Sequence, residues 1–114
     1  MLYLGSTPSR DSRVGQQVKA RMQREGKFRV HNGVEQILYS IDGQWWNIQH
    51  CDMGHIIDAV AWWNSNGRLT GARSSAVISF MNDPDNYELE PSGPNQARGT
   101  ALAARGVRYL PPVV

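Results

Sequence analysis

The feature that most constrains the fold is a change of hydrophobic period just after His55. Residues 27–50 are rich in β-branched and aromatic residues and are divided by the turn signals HNG and DG, which predicts extended strands. The stretch IIDAVAWWNSNG that follows instead predicts a helix with Ile56, Val60 and Trp63 on one face. A chain that combines strands and helices in this order is expected to adopt an α+β fold.

Three further helices are predicted, each with a start or stop signal. The first covers residues 12–25, with Ser12 as N-cap and Gly26 as its end, and the second is SSAVISFMND, with Ser74 as a possible cap. The short strand NYELE separates this helix from the last one, GPNQARGTALAARG, which has Pro94 in its first turn. The apolar residues expected to face inward are Val14, Val18, Met22, Val77, Phe80 and Met81.

Composition narrows the class of protein. A chain of 114 residues with 40% apolar residues suits one globular domain, residues 1–114. One cysteine, Cys51, excludes a disulfide framework and is expected to be a small buried residue. No run of about 18 apolar residues is present, so no membrane span and no membrane partner are expected, and the start MLYLGSTPSR is not a secretion signal.

Positive charge is concentrated at the start of the chain. Residues 1–29 contain seven of the twelve Lys and Arg residues and only two acidic residues. Such a basic helical arm beside a near-neutral body suggests a polyanionic partner. The alternative is a solvated amphipathic helix without a partner.

The stretch CDMGH contains the strongest candidate for chemistry, His55. A neutral imidazole can take a proton from water at pH 7, and Gly54 beside it allows a phosphate to come close. Asn95, in the first turn of the last predicted helix, offers an oxygen ligand of the kind that Mg²⁺ binds. Arg98, one turn later, can hold the phosphate.

Structural roles remain open for the same residues. His55 can be a packed core residue, Asn95 a capping residue, and Glu90 on the strand NYELE a solvent-facing one. A zinc site that includes His50, Cys51 and His55 lacks a second group of ligands in the sequence. In each of the pairs Trp45–Trp46 and Trp62–Trp63, one ring is expected in the core and the other at the surface, where it can stack on a base.

Several blocks together resemble a known family. DMGHIIDAVAWWN, RLTGARSSAVISFMNDPDNYELEP, NQARG and the terminal YLPP are similar to the GH-E toxin domains, and the upstream GSTPSRDSRVGQQVKARMQREGK extends the resemblance over nearly the whole chain. These domains are predicted nucleases of the HNH/endonuclease VII superfamily at the C-terminal ends of bacterial polymorphic toxins, including Rhs-type and type VI secretion effectors. The resemblance implies a ββα-metal core over residues 44–106, with a helical insertion at 56–82.

The resemblance also assigns site residues. It implies that His55 is the general base, that Glu90 is the glutamate of the family name, and that Asn95 contacts the metal, helped by Glu90 or Asp52. DMGH is also similar to the Asp-Arg-Gly-His motif of non-specific endonucleases, although Met53 replaces the arginine and one phosphate contact is lost. No histidine follows His55, so Mg²⁺, or Mn²⁺ in its place, is expected rather than a three-histidine Zn²⁺ site.

The resulting hypothesis is a metal-dependent endonuclease that cleaves DNA and acts as an antibacterial toxin. The chain is then part of a larger secreted effector, works in the cytoplasm of a target bacterium, and has a cognate immunity protein, expected to be acidic. Two alternatives remain: an RNase of the same fold, since nothing in the sequence senses a 2′-hydroxyl, and a non-catalytic nucleic-acid-binding or protein-interaction module.

Overall fold

The structure is a computed structural model that describes residues 3–93 and 108–113. These residues form an α+β fold, as predicted. The elements in chain order are α1 (Arg13–Arg24), β1 (Phe28–His31), β2 (Val34–Tyr39), β3 (Gln44–Asn47), β4 (Cys51–His55), α2 (Ala59–Ser65), α3 (Ser75–Met81) and β5 (Tyr87–Pro91). The predicted last helix, with Asn95 and Arg98, lies outside the described residues, and the tail from 108 to 113 has no regular secondary structure.

Helix α1 begins and ends where its sequence signals predict. The Ser12 hydroxyl accepts a hydrogen bond from the Gly15 N–H at 3.1 Å, which satisfies one of the free N–H groups of the first turn. The helix ends before Gly26, whose φ of +74° suits a residue without a side chain. Its buried side chains are the predicted Val14, Val18 and Met22.

The first three strands form an antiparallel sheet in the order β1-β2-β3. A two-residue turn at Asn32 and Gly33, both with positive φ, joins β1 to β2. Opposed residues of neighbouring strands project on the same face, so the register groups Phe28, Ile37 and Trp46 on one face. That face packs on the core, and the opposite face points away from it.

Strands β4 and β5 form a separate antiparallel pair. The predicted order of strand, helices and strand around His55 is found, but the strand that pairs with β5 is Cys51–His55, while the preceding β3 belongs to the other sheet. The prediction of extended strands up to residue 50 is wrong at its end, because β3 in QWWNIQH stops at Asn47 and a 3₁₀ turn covers Ile48–His50. The Asn47 side chain accepts a hydrogen bond from the Gln49 N–H at 2.9 Å, and this local bond replaces continued sheet pairing.

Helices α2 and α3 lie between the two strands of this pair in the sequence. Helix α2 starts at Ala59, where Asp58 caps it, and not at Ile56, which is 57% exposed. The prediction of Ile56 on the buried face is thus wrong, whereas that of Trp63 is confirmed. Helix α3 has the predicted N-cap, Ser74, and the predicted buried residues Val77, Phe80 and Met81.

Two apolar clusters stabilise the described part of the chain. The first joins α1 and the three-stranded sheet to the β4–β5 pair, and its members include Val18, Met22, Ile37, Met53, Tyr87 and Leu89. The second joins α2 and α3 to the N-terminal segment, and its members include Leu4, Trp63, Val77 and Phe80. None of the described helices has the length and apolar character needed to cross a bilayer.

Candidate functional site

The β4–β5 pair brings the predicted histidine and glutamate into one neighbourhood. In its register Asp52 opposes Glu90, and Gly54 opposes Glu88. These four residues share one face of the pair, whereas His55, at the end of β4, belongs by alternation to the apolar face. The ends of both faces border a cleft of about 520 Å³, whose lining includes Gly54, His55, Glu88, Glu90, Arg21 and Lys27.

Gly54 provides the space that the Glu90 side chain occupies. A Cβ atom at position 54 would lie 2.0 Å from Oε1 of Glu90 and 2.4 Å from its Cδ. The backbone at Gly54 is not in the left-handed region, so the requirement for glycine here comes from this contact alone. Glu90 is only 7% exposed, which shows that it does not face solvent, the alternative left open by the sequence.

The His55 ring lies between the two apolar clusters. Its centroid is 4.8 Å from that of Tyr87, in the first cluster, and 6.4 Å from that of Phe80, in the second. Its Nε2 lies 3.4 Å from the Thr7 hydroxyl oxygen, a long hydrogen bond. His55 is partly buried, and these contacts restrict the orientation of its ring.

A second cleft, of about 480 Å³, lies on another side of His55. Thr7, Arg10 and Asp52 contribute to its lining, and Asp52 is exposed there. The two predicted acidic residues therefore border different clefts, with Glu90 in the first and Asp52 in the second, and His55 borders both. Of the two, Glu90 is the one that is packed against Gly54.

The metal-binding prediction depends in part on a residue outside the described ranges. Within residues 3–93 and 108–113, no group of three His, Cys, Asp or Glu side chains is arranged to hold a metal ion. The Glu90 carboxylate is an oxygen donor of the kind that Mg²⁺ binds, which fits the predicted ion. The positions of Asn95, its predicted co-ligand, and of Arg98 lie outside the described residues.

Three charged residues at the first cleft were not anticipated as site residues. Glu88 is bound by Arg21 and by Lys27, whose Nζ lies 3.1 Å from Oε2. The Arg21 guanidinium, 12% exposed, also donates to the backbone carbonyls of Pro84 at 2.6 Å and Tyr87 at 2.7 Å. Because these partners lie more than 60 residues apart in the chain, the sequence carries no local signal for them.

Several of the N-terminal basic residues are bound to other groups of the protein and not exposed for a partner. Lys19 pairs with Glu35 at 2.9 Å, and Arg10 donates to the backbone carbonyls of residues 48, 49 and 51 at 3.0 to 3.2 Å. Arg29 lies 4.3 Å from the ring centroid of Trp45. Much of the positive charge of residues 1–29 is therefore engaged within the protein, while Arg13 and Arg24 point into solvent.

Cys51 has the structural role predicted for it. The side chain is fully buried, and burial raises its pKa from 9.0 to about 11, although the nearby Arg10 opposes part of this effect. The thiol is thus protonated at neutral pH and is neither a ready nucleophile nor a metal ligand. His50, which a zinc site would also need, is exposed.

No family model matches the chain, and searches of curated proteins and of solved structures found no match. The resemblance to the GH-E toxin domains therefore rests on the sequence blocks themselves. The functional interpretation rests on those blocks together with the cleft beside His55.

Proposed function

We propose that this chain is a metal-dependent endonuclease with a ββα-metal core, and that DNA is its substrate. The observation that carries the proposal is the placement of Glu90 against Gly54, beside His55, at the border of one cleft. Gly54 and His55 are neighbours in the sequence, and the pairing of β4 with β5 adds the distant Glu90 to the lining of the same cleft. A titratable base beside a carboxylate in an open cleft suits the activation of water.

In the proposed reaction His55 takes a proton from a water molecule, and the resulting hydroxide attacks the phosphorus atom of the phosphodiester. The P–O bond to the leaving oxygen breaks, and that oxygen is protonated from solvent. Glu90 and Asn95 would hold a divalent ion, Mg²⁺ or Mn²⁺, which would supply charge stabilisation at the phosphorus. Asp52 opposes Glu90 across the strand pair but is exposed, so we assign the acidic ligand to the buried Glu90, which is packed against Gly54.

The remaining contacts of the cleft support this assignment. The hydrogen bond between Thr7 and His55 and the contact with Tyr87 restrict the orientation of the His55 ring, as a general base requires. Lys27 is the more exposed of the two cations bound to Glu88, and we assign it to the substrate phosphate alongside Arg98. Salt-sensitive attraction to the polyanion would come from the exposed Arg13 and Arg24.

As an antibacterial toxin domain, the chain would act in the cytoplasm of a target bacterium after delivery as part of a larger secreted protein. Its producer would then need an immunity protein, and an acidic one would be attracted by the same exposed cations. Expression of the domain alone in bacterial cytoplasm is expected to stop growth. RNA is the alternative substrate, because hydrolysis of either polymer uses the same chemistry.

The decisive experiment incubates the purified chain with plasmid DNA and, in parallel, with total RNA, in Mg²⁺, Mn²⁺, Zn²⁺ or EDTA. The parent is expected to cut DNA with Mg²⁺ or Mn²⁺ and not with EDTA. His55→Asn should cut at least about 100-fold more slowly, the usual contribution of a positioned general base. Glu90→Gln should require a higher Mg²⁺ concentration, because it lacks the anionic ligand.

His50→Asn is the matched control, because His50 is exposed and lies five positions from His55. It should cut as fast as the parent, and the inactive variant, purified in the same way, measures contaminating nuclease. Equal cutting by His55→Asn and the parent would remove His55 from the mechanism. Binding of nucleic acid without cleavage in any ion would favour the non-catalytic module, and cleavage of RNA alone would make the chain an RNase.

A further inference from the structure

The outer face of the three-stranded sheet is a second candidate site, separate from the His55 cleft. We call it the outer face. By strand register, its residues are Arg29, His31, Val34, Gln36, Leu38, Trp45 and Asn47. Each of these side chains is partly or fully exposed, and none is acidic. The face thus combines an aromatic ring, a permanent cation and two amides, without a carboxylate to repel an anion.

Arg29 and Trp45 form the centre of the outer face. They come from β1 and β3, the two outer strands, and their side chains meet across β2 with 4.3 Å between the guanidinium carbon and the ring centroid. The Arg29 Nε donates to Gln36 Oε1 at 2.7 Å, which fixes the guanidinium in this position. The neighbouring Trp46 is on the opposite face of the sheet and packs against the first apolar cluster.

A shallow cleft of about 310 Å³ continues the outer face at one edge. Val34 and Asn47, both on the outer face, line it together with Gly33, Glu35, Ile48 and Gln49. Lys19 lies 2.9 Å from the Glu35 carboxylate and offsets its charge. The Asn47 carbonyl oxygen accepts from the Gln49 N–H, so its amide N–H₂ group is directed to serve as a donor elsewhere. A polar donor beside an aromatic platform is what a base edge requires for a hydrogen bond.

From this arrangement we infer that the outer face binds single-stranded nucleic acid. Unpaired bases stack on the Trp45 ring and the Arg29 guanidinium plane, and Arg29 also attracts the phosphate backbone. Paired bases cannot do so, because a duplex hides the faces of its bases. The inference goes beyond the proposed function, since binding at this face involves no residue of the His55 cleft and would hold for a chain without catalytic activity.

The test measures the fluorescence anisotropy of a labelled oligothymidine and of a labelled duplex of equal length, in EDTA so that no cleavage occurs. The single strand should bind more tightly than the duplex. Trp45→Leu should weaken single-strand binding roughly 5- to 150-fold, the loss of one stacked base, and leave duplex binding unchanged. Trp45→Phe, which keeps an aromatic ring, should restore most of the single-strand affinity.

Arg24→Gln is the charge control for Arg29→Gln, because Arg24 is an exposed cation at the end of α1. Arg29→Gln should weaken binding more than Arg24→Gln does. Equal losses in these two variants, or equal binding by Trp45→Leu and the parent, would overturn the proposal. A change of oligomeric state in Trp45→Leu with unchanged oligonucleotide binding would overturn it in favour of a protein interface.

These outcomes are independent of those for the nuclease. A chain that binds oligothymidine through Trp45 but cuts nothing refutes the proposed function and leaves the outer face assigned. A chain that cuts DNA but binds it equally well without Trp45 refutes only the outer-face proposal.

Discussion

Substitution of Gly54 by alanine tests whether the glycine exists to make room for Glu90. An alanine Cβ would lie 2.0 Å from Glu90 Oε1, whereas ordinary contact begins near 3.4 Å, so the carboxylate must withdraw by about 1.4 Å. The backbone conformation itself suits alanine, because φ at position 54 is not positive. The whole cost of the substitution should therefore come from one pair of side chains.

The expected cost follows from the packing of that pair. Glu90 is buried, so its side chain cannot simply swing into solvent, and overpacking of this kind destabilises proteins by about 1 to 3 kcal/mol. For a chain of this size, that corresponds to a fall in Tm on the order of 4 °C per kcal/mol. If the proposed function is correct, displacement of Glu90 should also slow cleavage.

The coupling energy between positions 54 and 90 can be measured by urea denaturation of the parent, the two single variants and the double variant. In the Glu90→Ala background, where no carboxylate stands in the way, Gly54→Ala should cost less than about 0.5 kcal/mol. Gly93→Ala is the control, because a Cβ at that position meets nothing within 4 Å. A cost for Gly54→Ala that is the same with and without Glu90 would refute the reasoning.

Two further predictions concern buried groups. Arg21→Lys should lower the free energy of unfolding by about 1 to 3 kcal/mol in urea denaturation, because the guanidinium reaches Pro84 from one nitrogen and Tyr87 and Glu88 from another, a spacing that a single ammonium nitrogen cannot reproduce. Arg24→Lys at the exposed end of α1 should cost nothing measurable. Because burial raises the pKa of Cys51 from 9.0 to about 11, the unfolded chain loses this proton first, and the free energy of unfolding should fall by about 2 kcal/mol as the pH rises from 9 to 11. Cys51→Ala should lack this part of the decline in denaturation curves measured across that range, and an identical decline in both proteins would contradict the assignment.

Local signals explain which structural predictions succeeded. Ser12 and Ser74 cap helices where their position in the sequence indicates, because a capping bond joins residues only three apart. The predicted start of α2 at Ile56 is wrong because the N-cap of this helix is Asp58, and Ile56 precedes that cap. Helical spacing alone does not show which apolar residues precede a cap.

The only part of the candidate site that could be predicted from the sequence is the part that lies within one short motif. His55 follows a glycine in a short motif and can be singled out from the sequence. The contact of Glu90 with Gly54 cannot, because it depends on the register between β4 and β5. The binding of Arg21 to Glu88 is a tertiary contact of the same kind. Periodicity cannot reveal such contacts, because they depend on how separate elements pack.

The attachment of α1 to β5 limits how the chain can be shortened. A fragment beginning at Gln44 would lack Met22, whose sulfur receives the Leu89 N–H at 3.4 Å, and would lack the cations that neutralise Glu88. The apolar side of β5 would be exposed to water, and the Glu88 carboxylate would lose both of its cationic partners. A shortened version of this chain, or a fusion of it to another protein, should therefore retain α1, because that helix forms part of the core.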